Sequence, residues 1–81
     1  MTTIRYFAGA AQAAGTETTE VRPRAGQDLG SLAADLGARN ADLAKVLAVA
    51  SFVVDGTVTS DRALVIDDAA AIDVLPPFAG G

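Results

Sequence analysis

The sequence predicts an α+β domain in which a mixed β-sheet carries helices packed on one face. Three observations predict it. Runs of β-branched and aromatic residues with a period of two stand near both ends of the chain, and between them a segment places apolar residues at i, i+3, i+4 and i+7. An Asp55-Gly56 dipeptide between two short β-forming runs adds a hairpin in the second half. An apolar helix stripe and a one-sided sheet each need cover from water, and layering one on the other supplies it.

The elements follow in order. Thr2 to Phe7 reads as a strand, with Ile4 and Tyr6 on one face and Arg5 and Phe7 on the other. Ala8 to Ala14 is alanine-rich and ends at Gly15, the pattern of a short helix. Glu17 to Arg22 returns to alternation, with Thr19 and Val21 facing inward, until Pro23 and Gly26 break it; this strand is expected to run antiparallel to the first. Asp28 is placed to cap a helix whose stripe is Leu29, Leu32, Ala33 and Leu36 and which Gly37 is expected to terminate. Asn40 can cap a further helical stretch, Ala41 to Leu47, with Leu43 and Leu47 one turn apart. Ser51 to Val54 is a strand, Asp55-Gly56 its type I′ turn and Thr57 to Thr59 the returning partner. Ala71 to Leu75 is the final strand, with Ile72 and Val74 on one face and Asp73 and Leu75 on the other; Pro76-Pro77 ends it, because residues without N–H groups cannot extend a ladder. The first and last strands are expected to lie side by side in parallel.

Much of the apolar 51% is alanine, which buries little area, so the core must come from a short list: Ile4, Tyr6, Phe7, Val21, the leucines, Phe52 to Val54 and Ile72 to Leu75. With 81 residues there is room for one core and no deep catalytic cleft, so the chain is not expected to catalyse a reaction alone. Residues 1 to 76 form the domain on this reading, and residues 77 to 81 a projecting tail. The absence of cysteine and histidine removes thiol nucleophiles, disulfides, the usual zinc ligands and the usual general base; no metal and no bound cofactor are expected. A net charge of −4 argues against nucleic acid as partner and for a basic protein surface. No basic-then-apolar leader and no run of membrane-spanning length is present, so a soluble cytoplasmic protein with no membrane contact is expected.

Other chemistry-bearing residues read as ordinary surface. Asp67-Asp68, with Asp61 nearby, look like solvated loop charges; Arg22-Pro23-Arg24 is too small a patch for phosphate; Ser31 and Ser51 have no histidine to activate them. Lys45 is the single lysine, which makes linked polymers an unpromising purpose. The segment that stands out is Pro76-Pro77-Phe78-Ala79-Gly80-Gly81. A diproline favours an extended chain of roughly 3.1 Å per residue, and two glycines remove every side chain near the end, so the backbone can thread a narrow channel. The reacting group would be the Gly81 carboxylate, ionised at neutral pH with an ordinary pKa of about 3.5. The plain alternative is a frayed terminus, where small residues collect.

The closing run Ile72-Asp73-Val74-Leu75-Pro76-Pro77-Phe78-Ala79-Gly80-Gly81 and the opening Ile4-Arg5-Tyr6-Phe7-Ala8 resemble the small subunit of molybdopterin synthase, a sulfur-carrier family with the ubiquitin-like β-grasp fold. The leucine-rich helix and the Val53-Val54-Asp55-Gly56 turn lie where that family has them, so the likeness spans nearly the whole chain. One departure is that Ala69-Ala70-Ala71 stand where the family usually has a Gly-Asp-Glu turn. The resemblance implies a carrier whose Gly81 carboxylate is joined to AMP by a ubiquitin-activating-type adenylyltransferase that consumes ATP. A sulfur donor protein then converts the adenylate to a thiocarboxylate. It implies further that Pro76, Pro77, Phe78, Ala79 and Gly80 thread into the large synthase subunit, where sulfur passes to a pterin precursor of the molybdenum cofactor. Two carriers serve each product, in a heterotetramer. Phe7, Val58 and Leu75 are the expected partner surface, on the face away from the helices, unless alanine-rich loops cover them. Carriers for thiazole or cysteine synthesis share the Gly-Gly ending, and a ubiquitin-like protein modifier or binding module is the alternative of a different class.

Overall fold

The computed structural model describes residues 1–77. Among them eight elements alternate along the chain: β1 (Thr2–Tyr6), α1 (Gly9–Ala14), β2 (Thr18–Val21), α2 (Leu29–Gly37), α3 (Ala41–Val49), β3 (Ser51–Val54), β4 (Thr57–Thr59) and β5 (Ala71–Leu75). The strands form one sheet in the order β2-β1-β5-β3-β4. β1 runs antiparallel to β2, with Ile4 opposite Thr19, and parallel to β5, with Ile4 opposite Ile72 and Tyr6 opposite Val74. β3 is antiparallel to both of its neighbours, β5 and β4. The expected parallel pairing of the first and last strands is therefore present, and it makes β5 the central strand.

Alternation decides which side is buried. Ile4, Tyr6, Phe52, Ile72 and Val74 point to the face that the helices cover, where they meet Ala10, Leu29, Leu32, Ala33, Leu43 and Leu47. The caps work as the sequence suggests: the Ser31 amide donates to the Asp28 carboxylate at 2.8 Å, and the Leu43 amide to the Asn40 side-chain oxygen at 3.0 Å. Asp55 and Gly56 have φ of 47° and 86°, the two positive values that a type I′ hairpin needs.

Two expectations need correction, and a third holds for a different reason. Phe7 is 42% exposed and Leu75 and Val53 are half-buried, so these members of the candidate core lie on the opposite side of the sheet. Ile66 takes a place the strand and helix patterns did not assign; it is 1% exposed, and its amide donates to the Gln27 carbonyl at 2.9 Å, so a loop residue plugs the core. α2 does end at Gly37 as expected, though not through a left-handed turn, since Ala38 follows in right-handed geometry. The glycine's value is space: a Cβ on Gly37 would stand 2.9 Å from the Ala44 Cβ and 3.0 Å from the Ala44 Cα, where α2 crosses α3. Gly37→Ala is accordingly expected to lower stability, measured by urea unfolding, by about 1 kcal/mol, because overpacking against backbone outweighs the gain in helix propensity. Ala44→Gly in the same chain should recover part of the packing loss.

The Ala69-Ala70-Ala71 segment is held by groups outside it. The Asp55 carboxylate accepts from the Ala70 and Ala71 amides, both at 2.9 Å, and the buried Thr2 hydroxyl donates to the Ala69 carbonyl at 2.6 Å. A turn whose own residues offer no polar side chain thus takes its partners from the hairpin and from β1.

Candidate functional site

The helix-free face of the sheet has a cross-strand row that the register defines: Thr18, Arg5, Asp73, Val53 and Val58. At its centre Arg5 grips Asp73 with two bonds, Nε to Oδ1 at 2.5 Å and an NH2 group to Oδ2 at 2.8 Å. The carboxylate, through these bonds first and its charge second, raises the Arg5 pKa further above its ordinary value, so the guanidinium stays charged. The Arg5 side chain is half exposed while that of Asp73 is largely covered, so the solvent-facing part of this neutral pair is the guanidinium. Periodicity located both residues on this face. What could have flagged them as partners is the parallel register of β1 and β5.

One row further along, toward the chain's exit from the sheet, Phe7 and Leu75 are neighbours, and the Phe7 amide donates to the Val74 carbonyl at 3.3 Å. Both lie on the helix-free side, Phe7 exposed and Leu75 half-buried. Val58 is on the same side and 69% exposed, but it stands on the edge strand with Val53 between it and Asp73. The three candidate surface residues therefore share a face, and two of them are adjacent. Pro76 is half-buried and Pro77 exposed, and they leave β5 at the end marked by Phe7 and Leu75. Phe78, Ala79, Gly80 and Gly81 lie outside the described residues.

Several of the remaining candidates have structural partners. Asp67 accepts from the Gly26 amide at 2.6 Å and Asp68 is exposed. Arg24 donates to Asp35 at 3.1 Å and to the Ser31 hydroxyl oxygen at 3.0 Å, and the buried Gln27 also donates to Asp35, at 2.8 Å. The Gln27 bond first, and then Arg24, holds the Asp35 carboxyl below its ordinary pKa. Ser31 is thus an acceptor in a small network tying the loop before α2 to the helix. Among the described residues no group of three carboxylates, histidines or cysteines could hold a metal, and no helix is long and apolar enough to cross a membrane.

The model of the ThiS family matches residues 4–81. The chain belongs to the ThiS family. It is a ubiquitin-like sulfur carrier of that family, a kind of protein that acts with a larger partner. No curated protein matches the sequence significantly. Two solved structures share the architecture of this ThiS-family chain. One is SAMP1 from Haloferax volcanii, with a TM-score of 0.79 and 18% identity over 99% of this chain and 98% of that one. The other is a putative molybdopterin converting factor, subunit 1, from Pyrococcus furiosus, with a TM-score of 0.68 and 20% identity over 94% and 95% of the two chains. At such identities the likeness establishes the fold, and it is the ubiquitin-like β-grasp that the ThiS-family chain was expected to have.

Proposed function

We propose that this ThiS-family chain carries sulfur for molybdopterin synthesis as the small subunit of the synthase. The Gly81 carboxylate is a poor electrophile, so a ubiquitin-activating-type adenylyltransferase joins it to AMP at the expense of ATP, releasing pyrophosphate. A sulfur donor protein supplies the sulfur that displaces AMP, leaving a thiocarboxylate at Gly81. The large subunit of molybdopterin synthase, binding two carriers in a heterotetramer, accepts residues 77–81 and passes the sulfur to a pterin precursor; the C–S bond to Gly81 is broken and water supplies the oxygen that restores the carboxylate. The carrier contributes no general base and no metal; it contributes a carboxylate and an address.

The observation that supports this reading is the position of the exit. β5 is laddered on both sides, by β1 and β3, and gives way to Pro76-Pro77 beside the exposed Phe7 and the half-buried Leu75. A partner that covers those two side chains lies beside the point where the chain leaves the sheet. Apolar anchors at the centre, with the Arg5–Asp73 pair beside them, suit a surface that is desolvated on docking.

Protein isolated from its native host and weighed intact provides the test. An oxygen-to-sulfur mass gain confined to the C-terminal peptide, together with co-purification of a pterin-binding large subunit, is the expected result. A sulfur gain with an acceptor in thiazole or cysteine synthesis would keep the carrier and overturn the pathway. Covalent attachment to other proteins without any sulfur gain would overturn both.

A further inference from the structure

The turn after β1 uses a residue that its geometry disfavours. Ala8 has φ 50° and ψ −124°, and the Ala10 amide donates to the Phe7 carbonyl at 3.0 Å. These values make Phe7-Ala8-Gly9-Ala10 a type II′ turn with Ala8 in the first central position, where glycine is the usual occupant because an L-residue's Cβ is crowded there. The glycine in the sequence stands one place later. Gly9 is not at positive φ, and a Cβ added to it would meet nothing within 4 Å. Exchanging the two residues would relieve the strain at no steric cost, so local folding preference does not account for the order.

What the strained residue holds is Phe7. On one side the Phe7 amide is tied to Val74; on the other, the Ala8 carbonyl accepts from the Ala11 and Gln12 amides at 3.1 and 3.3 Å, starting α1. Phe7 therefore sits between a strand ladder and a helix, with Ala8 as the single joint. Glycine in that joint would widen the range of backbone angles and let the exposed ring wander, whereas alanine, once forced into this well by its neighbours, has few other places to go. Phe7, Ala8 and Ala11 also form the apolar wall of a cleft of about 440 Å³ completed by Arg5 and Glu17, so a displaced ring would change the surface a partner meets.

We infer that Ala8 is a positioning residue for docking, whose strained turn preorganises Phe7 on the helix-free face. The inference rests on the reading of Phe7 and Leu75 as docking anchors. Preorganisation strengthens binding by lowering what must be ordered at contact, so the effects on folding and on binding should have opposite signs. Ala8→Gly is expected to raise the Tm by about 5 °C through relief of strain, and to weaken binding to the host's large synthase subunit about threefold through added freedom. A chain made by peptide ligation with D-alanine at position 8, a residue suited to this turn and still stiff, should melt higher than the parent and bind as tightly as it does. That result separates stiffness from loss of the L-methyl contact.

Ala8→Gly binding as tightly as the parent, or melting below it, overturns the inference; so does weak binding by the D-alanine chain. Phe7→Ala and Leu75→Ala are measured alongside. If both weaken binding at least fivefold while Ala8→Gly does not, the positioning role alone is lost. If neither weakens it, the docking face itself has been wrongly assigned.

Discussion

Gly80→Val is expected to fold and melt like the parent yet fail to be adenylated. Under the proposed function, an activating enzyme would have to bring a carboxylate oxygen of Gly81 to the α-phosphate of ATP while holding the preceding residues in a close-fitting channel. A β-branched side chain at the penultimate position both fills that channel and removes much of the φ/ψ range open to glycine. Deleting Gly81 should have the same outcome for a different reason, because the new terminus falls short of the phosphate. Both changes lie beyond Val74, the last core member among the described residues. ATP–pyrophosphate exchange with the matching adenylyltransferase measures the first effect, and thermal melting the second. Binding to the large subunit should fall less than activation does, since the Phe7–Leu75 face is intact. Exchange at the parent's rate would remove the mechanistic meaning of the Gly-Gly ending, and a marked drop in Tm would show that the last residues belong to the folded unit.

Phe52→Ala is expected to cost about 3–5 kcal/mol of stability. Phe52 is 1% exposed and lies on β3 between Val74 of β5 and Thr59 of β4. Its ring also supports the Arg62 guanidinium, whose centre lies 5.2 Å from the ring centroid and which donates to the Leu47 carbonyl at 2.6 Å. Truncation thus opens a cavity under the helices and loosens the tie between the loop after β4 and α3. A domain of this length is held by roughly 4–12 kcal/mol, so the variant should be close to unfolding at physiological temperature. Urea unfolding of parent and variant gives the number. Val53→Ala serves as comparison: the neighbouring residue faces away from the helices and is half-buried, so its loss should cost about 1 kcal/mol or less. Equal effects at the two positions would mean that the faces of β3 are wrongly assigned.

Elements whose signal is local were legible in the residues themselves. Asp28 and Asn40 cap helices because each side-chain oxygen reaches an amide three residues on, and Asp55-Gly56 turns a hairpin because both residues accept positive φ. Alternation in Ile4, Arg5, Tyr6 and Phe7, and in Ile72 to Leu75, assigned each side chain to a face, which was enough to put Phe7 and Leu75 together once their strands were neighbours.

Where the energy comes from residues far apart, composition and period carried no signal. Arg5 meets Asp73 across 68 positions, and nothing in either neighbourhood announces the bond. Gly37 looked like a helix stop because glycine often is one; only the crossing of α2 over α3 turns it into a point of close approach to Ala44. Ile66 is buried although its segment has no strand or helix period, because its loop is tied to the segment before α2, where the Ile66 amide donates to the Gln27 carbonyl. Ala8 could pass for an ordinary helical alanine until β1 and α1 were anchored on either side and forced it to positive φ. The sequence by itself determined the elements and their buried faces, since those follow from forces acting within a few residues. Strand order, the parallel seam of β1 with β5, and the strained joint behind Phe7 were decided by the tertiary structure, because each is a compromise among segments that meet only when the whole sheet has closed over its core.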